Sequence, residues 1–166
     1  GDWSSACALP ISGRIHAIGA GNLLVEIQQT SDITYRIFDW NRTGPDGKPR
    51  ELHTDLAVDA IDYNAAGSNK ITNIPAPNKT GNLVKCEFFI TNIINLTGRI
   101  SKDYNLIDSF VIYICTEGEF LIRWDGNSEP VIRGETVLLP AMIKEVVLEP
   151  SPKATLLEIF ISEESD

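Results

Sequence analysis

The segment GRIHAIGAGNLLVEIQQTSDITYRIFDW, residues 13–40, holds His16, one of only two histidines in the chain, with Glu26 and Arg36 downstream. These side chains do different chemistry. Neutral imidazole is a common zinc ligand, but a catalytic zinc needs three or four protein donors and one open position. A carboxylate with a raised pKa suits proton transfer between neighbouring carbons. A guanidinium stabilises a developing oxyanion or grips a phosphate through two parallel hydrogen bonds. Taken alone, His16 reads as a hydrogen-bonded histidine at a strand end, because one donor cannot hold a metal.

The elements that must position these groups are strands. NLLVEIQQ (22–29) and ITYRIFDW (33–40) are rich in β-branched and aromatic residues, with a polar break at Thr30–Asp32. Alternation puts Leu24, Glu26 and Gln28 on one face and Leu23, Val25 and Ile27 on the other. Glu26 facing a barrel interior is costly unless paired, hydrated or on a metal; the alternative is an outward-facing strand charge. Arg36 shares a face with Thr34 and Phe38, and a surface or ion-paired arginine is its alternative. Asp32, after Ser31, organises the turn between the strands.

TGPDGKP (43–49) is a loop by its glycines and prolines. ELHTDLAVDAIDY (51–63) predicts a helix, with Leu52, Leu56 and Ala60 at i, i+4 and Ala57 and Ile61 beside them. Thr54 is the expected N-cap, Asp55 suits the positive end of the helix dipole, and His53 is structural near the helix start. Residues 64–82 read as a linker.

From Leu83 onward nearly every segment reads as strand: LVKCEFFITNIINL, SFVIYICT, EFLIRW, EPVIRG, ETVLLPA, EVVLEP and ATLLEIFI. Turns are expected at Glu117-Gly118, Asp125-Gly126 and Arg133-Gly134. About eight short strands at regular spacing predict an antiparallel sandwich or barrel. The expected fold class is all-β with one short helix. Trp40, Trp124, Phe88, Phe89 and Phe110 are expected in the core, and a second barrel filled and dry is expected from Met142 and Ile143.

A net charge of −9 over 166 residues argues against non-specific nucleic-acid or acidic-membrane binding. A local basic group can still hold an anionic substrate. Apolar runs fall short of a membrane span of about 20 residues. Cys7, Cys86 and Cys115 form no CxxC pair, which suits a reducing cytoplasm and small buried apolar roles.

The residues Gly13-Arg14-Ile15-His16-Ala17-Ile18-Gly19, Glu26-Ile27-Gln28-Gln29, Ser31-Asp32, Tyr35-Arg36, Asp39-Trp40 and the following RELHTDLAVDAID lie in one order over positions 13–63. That order and spacing resemble the bacterial-type mannose-6-phosphate isomerases, a family of the cupin superfamily. The resemblance implies a cupin (double-stranded β-helix, jelly-roll) barrel with one short helix and a partial second cupin at the N-terminus. It divides the chain into 1–50, the C-terminal part of a catalytic cupin; 51–82, helix and linker; and 83–166, a C-terminal non-catalytic cupin. Residues 116–141 resemble a cupin hairpin and second-motif strand without the metal ligands. Pro10, Gly13 and His16 resemble the second motif of the catalytic barrel.

The resemblance implies zinc-dependent interconversion of mannose 6-phosphate and fructose 6-phosphate. It makes His16 a zinc ligand, Glu26 an acid–base residue and Arg36 the arginine that stabilises an enediolate. It also makes Arg36 and Arg42 substrate contacts, though Arg42 reads equally as a solvated loop arginine. The family's other ligands, a glutamine, a histidine and a glutamate, belong to a preceding half. The expectation is therefore a C-terminal fragment or truncated product, inactive alone and without stoichiometric zinc. A catalytically inactive module for sugar-phosphate binding or oligomerisation is the alternative. The expected partner is a hexose 6-phosphate, with no nucleic acid and no membrane, and a homodimer could cover the incomplete barrel.

Overall fold

In the computed structural model the described residues are 7–8, 13–22, 24–28, 33–64, 70–71 and 75–161. The chain falls into two compact units, residues 1–9 with 70–166, and residues 10–69. Pro10, Leu23, Gln29, Ser31 and Asp32 of the sequence motifs lie outside the described residues.

In the larger unit, β1 (Cys7–Ala8) pairs with β2 (Lys70–Ile71). A seven-stranded sheet follows, built of β3 (Thr80–Lys85), β4 (Ile90–Leu96), β5 (Ile100–Asp103), β6 (Val111–Trp124), β7 (Asn127–Ile132), β8 (Thr136–Leu139) and β9 (Glu145–Phe160). β6 and β9 run antiparallel from Val111↔Phe160 to Arg123↔Val147. Each changes partner along its length. β9 pairs with β5 through Glu145–Leu148 and with β4 through Ala154–Phe160. β6 pairs with β8 through Val111–Ile114 and with β7 through Glu119–Trp124. The outcome is two layers, β3-β4-β9-β6-β8 and β5-β9-β6-β7, sharing their two long strands: a jelly-roll barrel, as expected.

One core lies between the layers. Ile94, Leu156, Tyr113 and Val111 from the first meet Ile122, Leu148, Phe120 and Val131 from the second. Ile94, Ile122, Leu148 and Leu156 have no exposed surface, and each such burial stabilises by roughly 2 kcal/mol. The buried positions of β6 switch from odd (111, 113, 115) to even (120, 122), because the register slips between Cys115 and Glu117 and again between Gly118 and Phe120. Such bulges bend a strand. Gly118 sits at the bend with φ +74°, and a Cβ there would lie 2.1 Å from the Lys153 carbonyl oxygen. Glu117-Gly118 is therefore a bend inside one strand, not the expected hairpin turn.

Asp125-Gly126 is the expected two-residue hairpin loop, both residues at positive φ, joining Trp124 to Asn127. The run 83–96 is two strands with a turn at Cys86–Phe89, closed by Cys86 N–H to the Phe89 carbonyl at 3.1 Å. β5 goes unpredicted because Ile100-Ser-Lys-Asp has too few apolar residues to signal a strand.

In residues 10–69 the segments 22–28 and 33–40 form no sheet ladder among the described residues. This corrects the expectation of two strands. A run of strand-forming residues becomes a strand only where a neighbour accepts its ladder bonds, and neither has one here. α1 (Thr54–Ala60) forms as expected, but its N-cap position is His53, without a side-chain cap bond. Leu52 and Leu56 are exposed, and Ala57 is the buried residue, flanked by half-buried His53 and Ile61 at i−4 and i+4. Trp40 and Phe88 are also exposed, against the expectation that both lie in the core.

Candidate functional site

The chemistry of residues 10–69 gathers on Asp39. Its turn, Asp39–Arg42, is closed by Arg42 N–H donating to the Asp39 carbonyl at 3.0 Å. Both central residues are left-handed and neither is glycine: Trp40 at φ +49° and Asn41 at φ +55°. That conformation costs a bulky residue about 1–2 kcal/mol and persists only where surroundings enforce it. The loop beyond is pinned by the bridge Thr43↔Pro49 and by Gly44 N–H to the Lys48 carbonyl at 2.7 Å. It returns the chain so that Arg50 meets Asp39.

The Asp39 carboxylate is nearly buried, its side chain 8% exposed. Arg50 holds it side-on, donating from Nε to Oδ2 at 2.6 Å and from Nη2 to Oδ1. Arg42 Nε stands 3.4 Å and Arg36 Nε 4.0 Å from Oδ1. Neither is hydrogen-bonded to it. The hydrogen bonds from Arg50 hold the carboxyl below the usual carboxylate range; burial opposes the shift, and the charges of Arg50, Arg42 and Arg36 add to it. Three guanidiniums thus surround one carboxylate in a chain of strongly negative charge.

Arg36 is fixed at its backbone. Its N–H donates to His53 Nδ1 at 3.2 Å, its carbonyl accepts from His53 N–H at 2.7 Å, and its Nη1 donates to the Glu51 carbonyl at 3.3 Å. Because Nδ1 of His53 accepts, the neutral ring carries its proton on Nε2. His53 thereby ties Arg36 to the start of α1. Arg42 lies over the Trp40 ring, 5.4 Å from its centroid, a cation–π arrangement.

Of the four residues singled out from the sequence, the structure brings together Arg36 and Arg42. His16 is exposed and bonds through Nδ1 to the Arg14 carbonyl at 2.9 Å. Glu26 lies on the exposed side of an alternating run in which Val25 and Ile27 are half-buried. No group of three His, Cys, Asp or Glu among the described residues is placed to hold a metal ion. Asp39 and Arg50 were not singled out. Eleven residues and a loop separate them, so no local pattern links them; the signal was an aspartate in a run already rich in motif residues.

A second buried carboxylate lies in the barrel. Glu158, 1% exposed, accepts from Tyr104 Oη at 2.5 Å and Asn92 Nδ2 at 2.9 Å and pairs with Lys102 Nζ at 2.7 Å. Tyr104 and Tyr113 hydroxyls also meet. Burial, then neighbouring charge, pushes both tyrosines well above their ordinary range. The barrel core is not purely apolar, and Met142, 85% exposed, does not fill it as expected. Glu158 alternates in phase with Ala154 and Leu156, which places it inward.

Two layers threaded by two long shared strands define the chain as a cupin barrel protein. A solved structure of mannose 6-phosphate isomerase from Bacillus subtilis superposes with a TM-score of 0.56 over 79% of this chain and 41% of that one, at 22% identity. In sequence, residues 79–157 match the family described as mannose-6-phosphate isomerase, cupin domain. The mannose-6-phosphate isomerase ManA of Bacillus subtilis (strain 168) is 32% identical over 140 residues, which is 83% of this chain and 44% of that protein. A mannose-6-phosphate isomerase of Streptococcus mutans is 27% identical over 80% of this chain and 42% of its own length. The chain belongs to the mannose-6-phosphate isomerase cupins, and it spans less than half the length of these relatives. Among the described residues no helix is long and apolar enough to cross a membrane.

Proposed function

We propose that this chain handles the phosphorylated sugar of a mannose-6-phosphate isomerase, the enzyme that interconverts mannose 6-phosphate and fructose 6-phosphate. The observation that carries this reading is the arginine cluster, in which Arg36 and Arg42 stand beside Asp39 without hydrogen-bonding to it. Their donors suit an anionic substrate. In this reading Arg36 stabilises the charge that a cis-enediol puts on substrate oxygens, Arg42 contacts the phosphate, and Glu26 moves the proton between C2 and C1. In this reading residues 1–50 belong to a catalytic cupin and 83–166 to a non-catalytic one, joined by 51–82, which holds α1, β2 and the start of β3. The free thiols of Cys86 and Cys115 suit a reducing cytoplasm.

His16 is a zinc donor in the family pattern. A single exposed imidazole does not make a zinc site, and the described residues do not complete one. No step is routed through the metal, and the chain alone binds the sugar phosphate without turning it over. A calorimetric titration tests the reading, with a coupled isomerase assay beside it. Mannose 6-phosphate binds, mannose does not, and Arg42→Gln weakens binding about tenfold, the loss of one good contact. Equal binding of both sugars, or none of either, overturns it; turnover like that of full-length isomerases overturns the inactivity.

A second reading, an oligomerisation module, is favoured by the exposed Ile15, Ile18, Leu24, Phe38, Leu56 and Tyr63. Light scattering that finds a dimer supports it, and a monomer at all concentrations removes it.

A further inference from the structure

Three guanidiniums near one carboxylate raise a question of competition. Asp39 is itself an anion, and it lies within 4.0 Å of the same Arg36 and Arg42 groups that a phosphate would need. A fixed internal carboxylate close to a guanidinium has a large advantage over a dilute ligand, because it gives up no translational freedom on pairing. Left to itself, Asp39 would take the donors of Arg42 and Arg36. It ion-pairs with both, Arg36 at 4.0 Å and Arg42 at 3.4 Å, but hydrogen-bonds to neither. Arg50 engages both carboxylate oxygens side-on, the strongest and most directional pairing open to an arginine. The Arg50 side chain is 39% exposed, whereas Asp39 is nearly buried. Among the described residues, Arg36 spends one donor on the Glu51 carbonyl and Arg42 rests on Trp40.

We propose that Arg50 is a positioning residue for a phosphate-ester site: by occupying Asp39 it keeps Arg36 and Arg42 open to the ligand. This deepens the reading above and rests on it. Arg50 needs no contact with the ligand to do so. Asp39 closes the turn that carries Arg42 through its main-chain carbonyl, so its side chain can be changed without removing that bond.

The test is a set of three variants of the full chain, each titrated by calorimetry with mannose 6-phosphate and with inorganic phosphate. Far-ultraviolet circular dichroism and amide NMR spectra check the fold of each. Arg50→Gln lets Asp39 pair with Arg42 and Arg36, and binding falls about tenfold or more. Asp39→Asn in the Arg50→Gln background removes the competitor and restores binding to within about threefold of wild type. Asp39→Asn alone leaves binding unchanged or tighter. A residue that merely braces the fold, or one that touches the ligand, gives no such restoration.

Wild-type binding with Arg50→Gln unaffected overturns the proposal. So does Arg50→Gln weakened with the double variant equally weak. If Arg50→Gln fails to fold, Asp39→Asn decides: retained binding supports the proposal and lost binding overturns it. Absence of binding by folded wild-type protein is a different result, since it removes the phosphate-ester reading and this proposal with it.

Discussion

Asp39 and Glu158 are both buried carboxylates, and the way each is partnered separates the two units of the chain. Glu158 is held by a lysine, a tyrosine hydroxyl and an asparagine amide on β4, β5 and neighbouring segments of the barrel. Its partners have other bonds as well: Lys102 reaches Thr80 and Asn92 meets Asn82. Asp39 is hydrogen-bonded by one arginine, while two more ion-pair with it without hydrogen-bonding to it. The backbones differ in the same sense. In the larger unit the positive-φ positions among the described residues are Gly118, Gly126 and Gly134 with Asn78 and Asp125, types that tolerate the conformation, whereas the Asp39 turn places bulky Trp40 there beside Asn41. A closed, satisfied polar network fixes a fold. The strained turn with its three arginines is where the proposed ligand site lies.

The comparison breaks most sharply at Glu158. Glu158→Ala leaves the buried Tyr104 hydroxyl and Asn92 amide without their acceptor and half-buried Lys102 without its ion pair, which costs about 3–5 kcal/mol, and chemical denaturation should show it with no effect on phosphate-ester binding. If Glu158→Ala abolished binding in folded protein, the division between the two carboxylates would be wrong.

Gly118→Ala comes next. Its Cβ would collide with the Lys153 carbonyl in a left-handed conformation, so stability falls by roughly 2–4 kcal/mol. A melting temperature within a degree of wild type would contradict the bend described here.

A pH titration separates the units by sign. Asp39 has a lowered pKa in the fold, so its contribution is present above about pH 4, the unfolded value, and is lost as pH falls from there through its lowered value. The tyrosines have raised values, so the barrel network contributes below about pH 10 and is weakened as pH climbs above it. NMR signals of Trp40 should move on acidification. Tyr104 and Tyr113 should form tyrosinate only as the barrel unfolds, so their absorbance should rise together with the loss of far-ultraviolet circular dichroism. Ionisation of these two in folded protein near pH 10 would remove the buried network. The smallest effect is Asn41→Gly, which relieves a left-handed residue and stabilises by a few tenths of a kcal/mol; destabilisation would mean that the asparagine side chain holds the turn.

The barrel was legible where local rules decide. Alternation located β7 and β8 and the two halves of β6 and β9, and Asp125-Gly126 specified its hairpin. What alternation could not reveal is that EFLIRW continues SFVIYICT as one strand, because a bend and a turn both call for glycine. Which of the two forms at Gly118 depends on the distant Lys153. In residues 10–69 the resemblance singled out Arg36 and Arg42, which lie beside Asp39, but Asp39 and Arg50 meet only after the loop folds back. The strand reading failed there for a related reason: composition supplies strand propensity, and pairing needs a partner.

The order of the strands also bears on how the barrel is made. β9 is the last of the seven, yet it is the hydrogen-bonded neighbour of β4, β5 and β6. During synthesis β4 has only β3 beside it and β5 waits unpaired for a strand that emerges well behind them, from Asp103↔Glu145 to Ile90↔Phe160, and neither layer can close before it arrives. Pairing across such separations is slow. The apolar strands in between stay uncovered meanwhile, and that interval is when chaperones would find this chain.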